Sequence, residues 1–311
     1  MFQKILIANR GEIALRILRA CRELGIKTVA IHSDVDETAM HVRMSDESIC
    51  VGPASAQSSY LNIPAIITTA TMTNVDAIHP GYGFLSENKR FAEIIEEHGI
   101  KFIGPKSKHI EMMGNKIEAK RIMSKNGVPT VPGLDDVTED KKIQSFIDKV
   151  GLPVIIKAAS GGGGKGMRLV ENEKELISSY DSAKREAEGA FGDSSLYIEK
   201  FIINPHHVEI QVFGDGKGNA IHLGERECSI QRRHQKILEE SPAPVLRKFL
   251  DTRKKMFDAA VKITSSISYA GAGTIEFIVD EFGSSIRLYR GIHGEQAPPI
   301  ISGEPVKNSG F

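Results

Sequence analysis

The chain has 311 residues, which at roughly 150 residues per domain is room for about two domains and a sizeable core. Hydrophobic residues make up 41% and charged residues 26%, with 29 Gly, 13 Pro and no Trp, so the disordered, collagen-like and coiled-coil classes are excluded. Forty Lys plus Arg balance forty Asp plus Glu, so no global field recruits nucleic acid or an anionic membrane, and any basic site has to be local.

Residues 4–34 read as strand, helix, strand. Ile5 to Ala8 are apolar, Ile13, Ile17, Leu18, Cys21 and Leu24 share a helical face, and Lys27 to Ile31 are again β-rich. A second such unit runs from Val75 to Pro105, with a helix near Lys89 to His98. Repeated βα units predict a parallel sheet covered by helices, with ligands at the C-terminal strand ends, where Asn9 to Glu12 and His79 to Phe84 lie. Neither loop is GxGxxG, so dinucleotide binding is not supported. The same N-terminal stretch reaches Arg10, Glu12 and Arg16 too early for a signal peptide, and no apolar run approaches the ~20 residues of a membrane span. Cys21, Cys50 and Cys228 have neither disulfide nor zinc-site spacing. A cytoplasmic location without nucleic-acid or membrane partners is the expectation.

Asn115 and Glu118 have capping-box spacing, which places Lys116 in the first turn of a helix ending near Pro129. From Val154 the order changes to strand, glycine loop and strand (Met167 to Val170), a hairpin, followed by a helical stretch over Glu173 to Ala190. Further strands are predicted at Ser195 to Ile203, His207 to Phe213 and Ala220 to Glu227, then a helix over Leu250 to Ser265. In a last strand, Thr274 to Val279, residues Ile275, Phe277 and Val279 share one face. From Glu281 to Phe311, 12 of 31 residues are Gly, Pro or Ser and no period is sustained, so poor order is expected there.

Ser160-Gly161-Gly162-Gly163-Gly164-Lys165-Gly166 allows backbone N–H groups to converge on an anion beside a lysine. Lys165 is followed by Gly166 and β sequence, so this is no Walker A loop; it reads as a phosphate contact or as a flexible hairpin. Lys157, inside the preceding apolar run, needs an anionic partner. Arg232, Arg233, His234 and Lys236 form a basic cluster, open to reading as a concave anion site or a solvated face. His207, Glu209 and Gln211 alternate on one face of their strand, opposite the valines. Glu276, within an apolar strand, must be paired, protonated or metal-bound; beside a polyphosphate, Mg²⁺ and a buried salt bridge are the alternatives.

Four segments together resemble biotin carboxylase, the ATP-grasp component of biotin-dependent carboxylases. They are Ile5 to Ala14, His79 to Asn88, the glycine loop, and Arg226 to Lys236. The resemblance covers about 280 residues. It implies an α/β and α+β architecture, with a Rossmann-like N-terminal (pre-ATP-grasp) domain over 1–114 followed by an incomplete ATP-grasp domain. The latter divides into a lid subdomain over 115–203 and the start of the core over 204–280, before a divergent tail over 281–311.

The resemblance further implies a ligase in which ATP phosphorylates bicarbonate to carboxyphosphate and the released CO₂ carboxylates biotin on a carrier protein. That is the first half-reaction of acetyl-CoA carboxylation, towards malonyl-CoA and fatty acids. Carried over by position, Lys116, Lys157 and the loop Gly161, Gly162, Gly163, Gly164, Lys165 and Gly166 hold the ATP phosphates. Glu199 and Ile202 face the adenine, and His207, Gln231 and His234 contact ribose or phosphates. Lys236 is the catalytic lysine, and Glu276 is one of two carboxylates on Mg²⁺ (or Mn²⁺). Biotin carboxyl carrier protein, carboxyltransferase subunits and a second copy in a homodimer are the implied partners. After Asp280 the family continues with a second metal carboxylate, an Asn and an Arg-Ile-Gln-Val-Glu segment. Here Ser284 to Gly291 stands instead, and Arg287 and Arg290 lack the flanking pattern. A catalytically impaired, nucleotide-binding remnant is therefore the alternative function.

Overall fold

The computed structural model describes residues 2–114, 122, 125, 127, 128, 130–134, 140–158, 166–232, 235–280 and 286–293. The N-terminal stretch builds a sheet from β1 (Lys4–Ile7), β2 (Lys27–Ser33), β3 (Glu47–Gly52), β4 (Ala77–His79) and β5 (Lys101–Phe102). The strands lie in the order β3-β2-β1-β4-β5, and all their pairings are parallel. Helices α1 (Gly11–Glu23), α2 (Met40–Met44), α3 (Ile63–Met72) and α4 (Lys89–Glu97) connect them. Of the predicted α1 face, Ile17, Leu18 and Cys21 are buried, together with Ala14, while Ile13 is half-buried. Leu24 departs from it: the helix stops at Glu23, and Leu24 caps it as an exposed residue.

The strand order reverses between β1 and β4, where the loops after the two strands meet. Asn9 joins them, its Nδ2 donating to the carbonyls of Pro80 at 2.7 Å and Tyr82 at 2.8 Å. Beside them Asp36 accepts two hydrogen bonds from Arg10, each 2.6 Å, and one from the Tyr60 hydroxyl at 2.5 Å. The Tyr60 oxygen in turn accepts the Ser33 N–H at 2.9 Å. The Arg10 hydrogen bonds outweigh burial and hold the Asp36 carboxyl well below the usual carboxylate range.

The remaining sheets are antiparallel. The first comprises β6 (Gly133–Leu134), β7 (Val154–Ala158), β8 (Met167–Val170) and β9 (Leu196–Lys200), in the order β6-β9-β7-β8. The predicted hairpin is the β7–β8 pair. After α5 (Ser107–Gly114), helices α6 (Asp140–Val150) and α7 (Leu176–Phe191) contribute Ile143, Ile147, Ala183 and Ala187 to this sheet's core.

The second antiparallel sheet is β12-β11-β10-β13-β14. It is made of β10 (His206–Asp215), β11 (Ala220–Arg232), β12 (Gln235–Glu240), β13 (Ala270–Val279) and β14 (Ile286–His293), with α8 (Leu250–Ser266) between β12 and β13. Val208, Ile210 and Val212 of β10 share a core with Ile275, Phe277 and Val279 of β13 and with Met256, Ala260 and Ile263 of α8. Each large aliphatic or aromatic side chain buried this way stabilises by about 1.5–3 kcal/mol. His109 of α5 stacks on Tyr269 with ring centroids 5.7 Å apart, tying the connection from the first domain to this core.

Two sequence expectations change here. β11, expected to end at Glu227, runs on to Arg232 and pairs with β12, so Arg232 and Lys236 of the basic cluster lie on paired strands. The segment after Asp280, expected to be poorly ordered, contains β14, which pairs along β13 from Thr274 to Val279. The physical reason is local: Ile286, Leu288, Tyr289 and Ile292 are good strand formers, and β13 offers them an open edge of N–H and C=O groups. The Gly, Pro and Ser count over the whole tail hides this short run. The Asn115–Glu118 capping box lies outside the described residues. Among the described residues, no helix is long and apolar enough to cross a membrane.

Replacing Asp36 by Ala should lower stability by about 2–3 kcal/mol, because the Arg10 and Tyr60 donors lose a charged acceptor. Chemical denaturation followed by circular dichroism measures it. The Asp36 contribution is present above the ordinary aspartate range and is lost as pH falls through that range to the depressed folded value. Wild type and Asp36→Ala should therefore converge in strong acid.

Candidate functional site

Alternation along β10 puts Glu209 and Gln211 on the face opposite its valine and isoleucine side chains, as the pattern predicts. In the antiparallel register Glu209 lies directly across from Glu276 of β13 on one side and Arg226 of β11 on the other. Two carboxylates facing each other across strands repel, so a cation is required between them. Lys236, from β12, supplies it: its Nζ donates to Glu209 Oε2 and to Glu276 Oε1.

Arg226 holds the other side of Glu209. Its Nε donates to Glu209 Oε1 at 2.7 Å and its Nη1 to Gln211 Oε1 at 2.8 Å, while Gln211 Nε2 donates to the Gly273 carbonyl at 2.9 Å. Burial alone would discharge Lys236. The Glu276 and Glu209 charges outweigh it, and the lysine titrates well above its ordinary value.

Next to this cluster, His206 Nδ1 lies 2.6 Å from Glu227 Oε1, and the His207 backbone N–H donates to Ser229 Oγ at 3.1 Å. Gln231 stands opposite Lys236 in the β11–β12 register and donates from Nε2 to the Cys228 carbonyl at 3.0 Å. Glu225, on the other face of β11, receives Arg253 of α8 at 2.7 and 3.0 Å.

In the β6–β9 sheet, Lys157 sits on β7 and has the anionic partner its burial demands: Nζ to Glu199 Oε2 of β9, 2.6 Å. Ile202 follows β9 and is half-buried. Gly166 opens β8 with φ +65°, its carbonyl accepting the Ala158 N–H at 3.1 Å. A Cβ there would come within 3.0 Å of the Ala158 Cβ, so glycine is required where the hairpin closes below its loop. Lys116, Gly161, Gly162, Gly163, Gly164, Lys165 and His234 lie outside the described residues.

Of the sequence-predicted residues, the structure joins Lys236 to Glu276 and Lys157 to Glu199, and it places His207 on the same strand as Glu209 and Gln231 on the neighbouring β11. Glu209 and Gln211 entered the sequence reading only as supporting members of a polar strand face. Arg226 and Glu239 carried no role there at all. Alternation puts Arg226 and Cys228 on one face of β11, but nothing in the sequence marks that face or Glu239 of β12 as neighbours of Glu209.

For a divalent cation, Glu276 offers a hard oxygen that already faces a positive charge. Mg²⁺ commonly takes one or two carboxylates and completes its shell with phosphate and water, so the donor fits. In β14, Leu288 and Arg290 stand opposite Phe277 and Glu276, and the strand contains neither Asp nor Glu.

Comparison with known proteins places the chain among relatives. Residues 1–110 match the family described as biotin carboxylase, N-terminal domain, and residues 115–289 match that described as carbamoyl-phosphate synthase L chain, ATP binding domain. The biotin carboxylase of Pseudomonas aeruginosa is 56% identical over 282 residues, 90% of this chain and 62% of that protein. The crystal structure of a biotin carboxylase–β,γ-ATP complex from Campylobacter jejuni superimposes with TM-score 0.85 at 50% identity. It covers 93% of this chain and 65% of the other. The biotin carboxylase domain dimer of Hydrogenobacter thermophilus 2-oxoglutarate carboxylase, in complex with MgADP, ADP and bicarbonate, gives TM-score 0.83 at 47% identity. It covers 94% of this chain and 64% of that one. The chain thus spans a little under two thirds of the length of these relatives. By the match of both its domains, the identity to its relatives and the superposition on their structures, the chain belongs to the biotin carboxylase family.

Proposed function

We propose that the chain binds Mg-ATP against the polar face of the β10–β13 sheet and carries the ATP-dependent half of biotin carboxylation. In that reaction bicarbonate is phosphorylated and its CO₂ is passed to biotin on a carrier protein. The observation that carries this reading is Lys236 held by Glu209 and Glu276, an ammonium fixed by two buried carboxylates at the head of the site. Such a group is preorganised to receive anionic oxygen without reorienting when charge develops.

Lys157 would turn from Glu199 to the phosphates, with Lys116 and the amides from Gly161 to Gly166 neutralising the rest. Glu199 and Ile202 would then meet the adenine, and His207, Gln231 and His234 the ribose or phosphates. Bound Mg²⁺ would supply charge neutralisation at the phosphate oxygens, with Glu276 as its protein ligand. Acetyl-CoA as the downstream acceptor, malonyl-CoA and fatty acid synthesis, carrier and carboxyltransferase partners, a homodimer and a cytoplasmic location are parts of the same proposal. A relative of comparable similarity is named for 2-oxoglutarate.

A second reading, a nucleotide-binding remnant without turnover, is favoured by the absence of a carboxylate from β14 beside Glu276. Removing one preorganised group from such a site commonly costs about 10²–10³ in rate. Biotin-dependent ADP release above background decides for the enzyme; Mg-ATP binding without it decides for the remnant.

Titration calorimetry with Mg-ATP should give saturable heat for the folded chain, and no heat would contradict nucleotide binding. Lys236→Ala should lower any bicarbonate-dependent ATPase by about 10²–10³ while leaving Mg-ATP affinity in place. Equal loss of both would assign Lys236 to nucleotide binding.

A further inference from the structure

Three carboxyl groups and two cations share the buried face around Glu209. Glu239 is 0% exposed, Glu209 1%, Arg226 6% and Glu276 9%. If every group were ionised, Glu209, Glu239 and Glu276 would leave one negative charge unmatched by Arg226 and Lys236.

The geometry shows which carboxyl is left over. Lys236 is spent on Glu209 and Glu276, and Arg226 points its Nε and Nη1 at Glu209 and Gln211. Glu239 Oε2 lies 3.2 Å from Arg226 Nε, but off the line of its N–H. Neither Glu239 oxygen has a hydrogen-bond partner among the described residues. Its nearest acidic neighbours are Glu209 and Cys228; one ligand atom from each of the three lies within 4.8 Å of the others. An ionised carboxylate in this position would be fully desolvated and beside the Glu209 charge, with Arg226 opposing these penalties from off the hydrogen-bond line. Protonation removes the buried charge and the repulsion.

We propose that Glu239 is a positioning residue for Lys236: it holds one proton in the ligand-free site, which makes the cluster neutral, and its ionisation redirects Arg226 and Lys236 away from Glu209. This rests on the reading of Lys236 as the lysine that meets bicarbonate or phosphate. The charged and titratable groups facing Glu239 are Glu209 from β10, Arg226 and Cys228 from β11, and Lys236 from its own strand. Burial first and the Glu209 charge second push Glu239 up to about 7, against the pull of Arg226 and Lys236. The proton would therefore leave within the physiological range, turning a neutral site into one with a net negative charge that disfavours anions.

The test is a titration of the ligand-free full chain by NMR, with carboxyl-¹³C glutamate and Nζ-¹⁵N lysine, so its result does not depend on nucleotide binding. One glutamate signal, absent from Glu239→Gln, should titrate near pH 7, and the Lys236 signal, assigned with Lys236→Arg, should move with the same midpoint. Glu239→Gln should abolish that movement. Ionisation of Glu239 in the ordinary glutamate range, or a Lys236 signal indifferent to it, would overturn the proposal.

A second measurement needs no assignment. Because the folded value is raised, the Glu239 contribution to stability is full below the ordinary glutamate range and is lost as pH rises through about 7. Glu239→Gln, an uncharged isostere of the protonated acid, should fold and gain melting temperature relative to wild type as pH rises through that window. A difference that stays constant with pH, or a Gln variant that fails to fold, would contradict a neutral Glu239.

Discussion

Two glutamates facing each other across adjacent strands, Glu209 on β10 and Glu276 on β13, are the constraint around which the site is organised. Antiparallel register forces the pairing, and the alternation that sends Val208, Ile210, Phe277 and Ile275 into the core sends both carboxylates to the opposite face. Once they are buried there, a cation between them is an electrostatic necessity. The β11–β12 hairpin exists in a position to deliver Lys236 for that purpose, with Arg226 closing the far side of Glu209. Buried ion pairs of this kind are poor contributors to net stability compared with apolar packing. Their presence here is better explained by the need to hold an ammonium in a fixed place.

Lys157 and Glu199 repeat the device on a smaller scale. A lysine within an apolar strand is paired with a carboxylate on the neighbouring strand, 2.6 Å away. In each case a lysine ammonium is held in the protein interior by an internal counter-ion. The family relationship and the physical reading meet at this point. The sheet supplies oriented charges from Lys236 and Lys157.

The parallel sheet was legible because two βα units repeat the same apolar spacing, and the β7–β8 hairpin because glycines separate two β-rich runs. Glu276 was legible as a carboxylate that needs a partner because it stands alone in an apolar strand, and the buried ion pair given as one alternative is what the strand forms. Its partner was not, since Lys236 lies forty positions away and sequence periodicity has no information about which strands become neighbours. Arg226 and Glu239 were missed for the same reason: each becomes chemically significant only when β10, β11 and β12 are set side by side. β14 was missed because the Gly, Pro and Ser count of the whole tail hides a short strand-forming run, which the free edge of β13 then pairs.

The most direct test of this account is a double-mutant cycle between Glu209→Gln and Arg226→Met, read by equilibrium unfolding at neutral pH. If buried carboxylates organise the site through their cations, each single change strands a charge, and the two should couple by about 2–3 kcal/mol. Losses that add to within about 0.5 kcal/mol would show that the two groups act independently and would contradict the central claim.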